Sequence, residues 1–252
     1  LLLLWGSFAV IQDDLLYFPD NPPRPALLAQ AANDGLQAWS DGADYRALLR
    51  EPAGPARATL LLFHGNAGHA GHRADYARML AGLGLRVLLA EYPGYGSRPG
   101  APGEAALVAD AAATLAAARR QFPGRLLVAG ESLGAAVAAA IAGEADGLLL
   151  ITPWDRLDNV GRHHYPWLPV RQLLRDRYDS AARLAGYRGR SAVVLAANDR
   201  IVPARFGHAL YAGLGGPKRL WTVAGADHND WLGRVDAAWW RELVDYLLDG
   251  GR

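Results

Sequence analysis

The sequence predicts a mostly parallel, doubly wound α/β sheet with an antiparallel N-terminal edge and a small helical cap. Short apolar runs alternate with helical segments along most of the chain, the pattern of strands covered by helices on both faces. Two strand-like segments around an Asp-Gly turn precede that alternation and predict the edge. One long stretch without a strand, 153–190, interrupts it and predicts the cap.

Residues 1–35 read as an N-terminal arm, and 36–252 as one α/β domain that carries the cap. The arm opens on the apolar run Leu1–Ile11, which is shorter than the ~20 residues of a spanning helix. No basic residue precedes it. The run is expected to be either the end of a longer membrane anchor or a short amphipathic or buried arm. Four prolines between Pro19 and Pro25 predict an extended, non-helical passage. Leu36–Ser40 and Tyr45–Leu49 flank Asp41-Gly42 as a hairpin. Thr59–Phe63, Val87–Ala90, Leu126–Ala129, Leu148–Ile151, Ala192–Ala196 and Arg219–Val223 follow as strands. Between and after them, Arg73–Leu83, Gly103–Gln121, Leu133–Glu144, Ala204–Leu214 and Asp236–Leu248 read as helices.

Composition narrows the chemistry. With 51% hydrophobic and 20% charged residues the chain has enough apolar side chains for a core, so disorder is not the expectation. The 26 basic and 25 acidic residues leave a formal charge of +1, which offers no field for nucleic acid. Cysteine is absent, so disulfides, thiolate metal sites and a cysteine nucleophile are excluded together.

The strand ending at Ala129 runs into Gly130-Glu131-Ser132-Leu133-Gly134 and at once into a small-residue helix. A G-x-S-x-G turn between strand and helix exposes its serine hydroxyl at a helix N-terminus, which makes Ser132 the candidate nucleophile. A serine needs a base, and the base needs an orienting acid. Asp199 follows the strand Ala192–Ala196, and His228 follows the strand Arg219–Val223, so acid and base occur after the serine in the order acid, histidine. Asp227 and Asp230 are rival acids, ranked lower because a neighbour in sequence rarely turns back onto the same ring. The developing oxyanion needs pre-placed donors. The backbone N–H of Leu133 is one candidate, and that of Asn66, in His64-Gly65-Asn66-Ala67-Gly68 after the strand Thr59–Phe63, is the other.

Other chemistries fit less well. A phosphate-binding loop needs G-x-x-x-x-G-K-[ST], and the single lysine, Lys218, lies far from these glycines. The loop after Phe63 lacks dinucleotide spacing. His163-His164 near Asp155 and Asp158 is a metal-like grouping, but adjacent histidines point apart on most backbones. No metal and no cofactor are expected.

Four segments together resemble a known family: Leu15-Leu16-Tyr17-Phe18-Pro19, His64-Gly65-Asn66-Ala67-Gly68, Glu91-Tyr92-Pro93-Gly94-Tyr95-Gly96-Ser97, and the turn around Ser132. Tyr165-Pro166-Trp167-Leu168-Pro169-Val170 in the cap adds to them. The chain is similar over nearly its whole length to the Bem46-like branch of the α/β-hydrolases, related to bacterial membrane-anchored serine hydrolases and to eukaryotic depalmitoylating enzymes. The resemblance implies the α/β-hydrolase fold, the triad Ser132, Asp199 and His228, the donors at Asn66 and Leu133, and an N-terminal membrane anchor. The chain departs from it at Glu91-Tyr92-Pro93, where relatives often carry Asp and Arg.

The expected function is hydrolysis of a carboxylic ester or thioester through an acyl-enzyme. Trp154, Tyr165, Trp167 and Leu168 are candidates for an apolar acyl pocket. An acyltransferase or serine peptidase on the same triad, or a non-catalytic scaffold, is the rival reading. The expected partner is a small-molecule or lipid-like acyl substrate, with membrane association through the N-terminus; a cytoplasmic location is the alternative. Oligomeric state is not legible.

Overall fold

A strand that is apolar on both sides must be covered on both sides, and two buried clusters do this for the central sheet. The computed structural model describes residues 12–248. Its main sheet has eight strands: β1 (Gln37–Asp41), β2 (Asp44–Arg50), β3 (Ala58–Phe63), β4 (Leu85–Ala90), β5 (Leu126–Glu131), β6 (Gly147–Ile151), β7 (Ser191–Ala196) and β8 (Lys218–Val223). Their spatial order is β8-β7-β6-β5-β3-β4-β2-β1. The contacts β1–β2 and β2–β4 are antiparallel and the others parallel. The predicted sheet and its antiparallel edge are therefore present.

The helices are α1 (Arg24–Asn33), α2 (Ala74–Gly82), α3 (Glu104–Gln121), α4 (Leu133–Ile141), α5 (Leu157–His164), α6 (Val170–Leu173), α7 (Ser180–Leu184), α8 (Ala204–Gly213) and α9 (Ala237–Leu248). Alternate side chains of each strand join opposite clusters. In β3, Leu61 and Phe63 pack with α3, α4 and α8, whereas Leu60 and Leu62 pack with α1, α2 and α9. The short helices α5, α6 and α7 occupy the strand-free stretch between β6 and β7.

One reading of the N-terminal arm changes. Phe18–Pro19 forms a two-residue parallel ladder with Ala67–Gly68, and the prolines end in a helix rather than continuing as an extended passage. α1 begins at Arg24 with Pro25 in its first turn. Proline is tolerated there because first-turn N–H groups have no helical acceptor, and its fixed φ suits the helix. The run Leu1–Ile11 lies outside the described residues.

The strand order sets the site. Chain progression runs from β3 to β4 on one side, then returns past β3 to β5, so β3 and β5 flank a reversal point. In open α/β sheets ligands bind beyond the carboxyl ends of the strands at such a point. The loops after Phe63 and after Glu131 both begin there, with Phe63 paired to Gly130.

Candidate active site

Ser132 joins β5 to α4 with φ 54° and ψ −115°. A side chain in this region costs about 1–3 kcal/mol and persists only where the surroundings enforce it. Here the Ser132 N–H donates to the Ile151 carbonyl (2.9 Å), and the Ser132 carbonyl accepts from the Ala135 N–H (2.9 Å). The flanking glycines have a steric role. A Cβ on Gly130 would overlap the Gly134 carbonyl, and a Cβ on Gly134 would overlap the Phe63 carbonyl. Backbone rather than a movable side chain is in the way. Gly134→Ala is therefore expected to cost at least about 3 kcal/mol, the upper end of overpacking penalties, read as a lowered denaturant midpoint.

Asp199 and His228 are brought together by the parallel register of β7 and β8, in which Ala196 pairs with Val223. Beyond the strands the two loops stay tied, with Asn198 N–H donating to the Ala226 carbonyl at 2.8 Å. His228 Nδ1 lies 2.7 Å from Asp199 Oδ2, and both side chains are buried. The other oxygen, Oδ1, accepts the backbone N–H groups of Ile201 (2.9 Å) and Val202 (2.6 Å). Asp199 is thus held as an acceptor aimed at Nδ1. Among the described residues no hydrogen bond joins the Ser132 hydroxyl to the His228 ring.

The rival acids are occupied elsewhere. Asp227 Oδ1 accepts the N–H groups of Arg200 (3.0 Å) and His228 (2.8 Å), and its Oδ2 takes the Arg200 guanidinium. Those backbone donors, with the guanidinium, hold its carboxyl down to about 2. Asp230 Oδ1 accepts the Asp227 N–H at 2.7 Å, and its Oδ2 pairs with Arg234 at 2.6 Å. Asp227 braces the Asp199 loop against the His228 loop without bonding to the imidazole.

The loop after β3 is fixed from several sides. A Cβ on Gly65 would stand 3.7 Å from Ser132 Cβ, so this loop runs directly beside the serine. The Asn66 carbonyl accepts from the Tyr95 hydroxyl (2.8 Å) and the Phe18 N–H (2.9 Å), and Asn66 Nδ2 donates to the Leu16 carbonyl (2.9 Å). Among the described residues neither the backbone N–H of Asn66 nor that of Leu133 has a hydrogen-bond partner. Two uncommitted donors therefore sit on the segments flanking the serine.

Several groups that shape this site were not among the candidate site residues read from sequence. Tyr92 donates to the His64 carbonyl (2.8 Å). Fully buried Glu91 accepts the Ala70 N–H (3.1 Å) and approaches His64 Nε2 at 3.4 Å. Beneath the serine, Glu131 accepts from Arg73 Nε (2.6 Å) and the Tyr76 hydroxyl (2.8 Å). Burial, then the Glu131 charge, pushes the Tyr76 phenol well above its ordinary value. The sequence signal for Glu91 was the glycine pattern that follows it. Gly96 has φ +57°, and a Cβ there would overlap the Glu91 carboxylate.

The four pocket candidates separate. Tyr165 and Leu168 line a cleft of about 230 Å³ with Leu15, Leu16, Leu157 and Val160. Trp154 does not line it: the ring is buried in the core, and its Nε1 donates to the Tyr178 carbonyl (3.1 Å). Trp167 stands 74% exposed beside Tyr165. His163 and His164 are taken up separately, by Arg205 and by the Ile201 carbonyl. Among the described residues no helix is long and apolar enough to cross a membrane.

Comparison with known proteins bears on the family and the fold. A family model described as serine aminopeptidase, S33, matches residues 54–159. The uncharacterized protein Rv2307c of Mycobacterium tuberculosis is 39% identical over 241 residues, covering 91% of this chain and 83% of that one. Protein bem46 of Schizosaccharomyces pombe is 37% identical over 98 residues, 37% of this chain and 33% of that protein. The butyrate-bound esterase Est2 of Thermogutta terrifontis superposes with a TM-score of 0.66 at 20% identity, covering 86% of this chain and 94% of that one.

Proposed function

The chain belongs to the α/β-hydrolase superfamily, in its Bem46-like branch, and from that premise we propose that it is a serine hydrolase cleaving carboxylic esters or thioesters. The observation that carries the reading is the 2.7 Å contact between His228 Nδ1 and Asp199 Oδ2. An ionised carboxylate only accepts, so Nδ1 carries the proton and the Nε2 lone pair is left to act as base.

In the proposed reaction Ser132 Oγ attacks the acyl carbonyl carbon while its proton passes to His228 Nε2. Asp199 stabilises the resulting imidazolium. The oxyanion is received by the N–H groups of Asn66 and Leu133, each such donor being worth about 10²–10³ in rate. The tetrahedral intermediate collapses, the leaving alcohol or thiol takes the proton from Nε2, and Ser132 is left acylated. Water, deprotonated by His228, then attacks the ester and releases the acid and the free serine. The Ser132 hydroxyl must reach the imidazole in the substrate complex, a contact that commonly tightens only on binding.

The apolar cleft lined by Tyr165 and Leu168 holds no triad side chain and meets the site through Leu16, whose carbonyl accepts from Asn66 Nδ2; an apolar acyl group seated there is part of the proposal. Membrane association through the N-terminal segment is part of the same proposal. It is supported by the apolar run Leu1–Ile11 and by exposed Leu15, Phe18 and Trp167.

A fluorophosphonate probe tests the reading. Folded wild type is expected to be labelled on Ser132, and an unlabelled folded protein overturns it. Chain-length series of p-nitrophenyl esters, acyl thioesters and aminoacyl amides then separate esterase, thioesterase and peptidase.

A further inference from the structure

Two imidazoles and a carboxylate from separate segments converge where the N-terminal arm crosses the loop after β3. Asp20 Oδ2 lies 3.8 Å from His69 Nε2 and 3.6 Å from His72 Nε2. One donor atom from each of the three residues falls within 4.8 Å of the others, and the two rings are 4.0 Å apart. None of these side chains belongs to the proposed triad or its supports.

The backbone beneath them is already ordered. Asp20 N–H donates to the Gly68 carbonyl (3.0 Å), the Asp20 carbonyl accepts from the Gly96 N–H (3.1 Å), and His72 N–H donates to the His69 carbonyl (3.1 Å). The rings also occupy space that only glycine leaves. A Cβ on Gly68, where φ is +89°, would overlap His72 Nδ1, and a Cβ on Gly71 would stand 2.8 Å from His69 Cε1. His69 is nearly buried, whereas His72 and Asp20 are about half exposed. An ion could therefore enter from solvent and keep water on its open side.

We propose that Asp20, His69 and His72 form a binding site for a borderline divalent transition ion such as zinc, and that the ion clamps the N-terminal arm to the loop bearing Asn66. Two imidazoles with one carboxylate select zinc, nickel, cobalt or copper over magnesium and calcium, which take oxygen ligands. Ligands on a tetrahedral zinc at ~2.0–2.1 Å stand ~3.3 Å apart. The nitrogen–oxygen gaps of 3.8 and 3.6 Å exceed that by a few tenths of an ångström, so ligation asks for a small shift of the half-exposed Asp20 and His72 side chains. One adjustment goes with ligation. The Gly71 N–H now donates to His69 Nδ1 at 3.1 Å. Ligation through Nε2 moves the ring proton to Nδ1 and frees that amide, exchanging one neutral hydrogen bond for a metal–nitrogen bond.

The site does not depend on the hydrolase reading, and its test needs no substrate. Metal-stripped protein is titrated with zinc chloride by calorimetry, with thermal melting and amide hydrogen exchange in parallel. The expectation is one equivalent bound, a raised Tm, and slower exchange in segments 18–20 and 66–72. Asp20→Asn and His72→Ala, both at exposed side chains, are each expected to melt like stripped wild type and to bind zinc at least about tenfold more weakly. The proposal is overturned if wild type binds no zinc, or if His72→Ala binds as tightly as wild type. Unchanged binding in Asp20→Asn alone overturns the clamp, because the ion would then not reach the arm.

Discussion

Ser132→Ala is expected to lower kcat for ester hydrolysis by about 10⁵–10⁶, with the folded state intact. Removing the nucleophile from a serine hydrolase costs on the order of 10⁶, because the remaining groups stabilise a reaction that has lost its attacking atom. The same position carries a second, opposite expectation. With φ at 54° and ψ at −115°, Ser132 sits where glycine is unstrained, so Ser132→Gly relieves part of about 1–3 kcal/mol. It is therefore expected to be equally inactive yet to melt higher, by about 2–4 °C for each kcal/mol recovered in a chain of this size. Thermal melting of both variants beside a p-nitrophenyl ester assay checks the pair. Substantial turnover by the alanine variant would remove Ser132 from the mechanism.

Asp199→Asn is the second large effect, a fall in kcat of about 10⁴. The direction follows from the hydrogen bonds around the carboxylate. The Ile201 and Val202 amides hold Oδ1 at 2.9 and 2.6 Å, so the asparagine oxygen stays there and its NH₂ turns to His228. A donor facing Nδ1 drives the ring proton to Nε2, where it blocks uptake of the serine proton. Asp227→Asn keeps an oxygen for the Arg200 and His228 amides, and its kcat is expected to stay within about tenfold of wild type, consistent with a role in bracing loops. If Asp227→Asn lost about 10⁴ and Asp199→Asn did not, the acid would be misassigned.

Much of this was legible in advance because it is local. A strand buried on both faces must be a near-continuous apolar run, and β3, β6 and β7 are that in sequence and in structure. The turn around Ser132 is legible because two glycines and a serine at fixed spacing serve one local steric problem. α1 was not, because the proline run before it reads as extended and its apolar face is weak; the helix is stabilised by Leu27 and Ala31 packing on residues far along the chain. The burial of Trp154 was not legible for a similar reason. An aromatic in a cap is a pocket wall or a packed core ring according to which atoms cover it, and sequence does not encode that cover.

The sequence by itself determined the alternation of strand and helix, the position of Ser132, and the order in which serine, acid and histidine follow one another. These rest on periodicity and on contacts within a few residues. The tertiary structure decided which aspartate meets His228, because Asp199 and His228 are 29 positions apart and meet through the parallel register of β7 with β8. It likewise decided that Tyr95, Phe18 and Leu16 take up the other polar groups of Asn66 from distant segments, so that its N–H has no partner among the described residues. Chemistry-bearing residue types are a property of the chain. Which of them touch is set by strand register and by the cover that the rest of the fold lays over them.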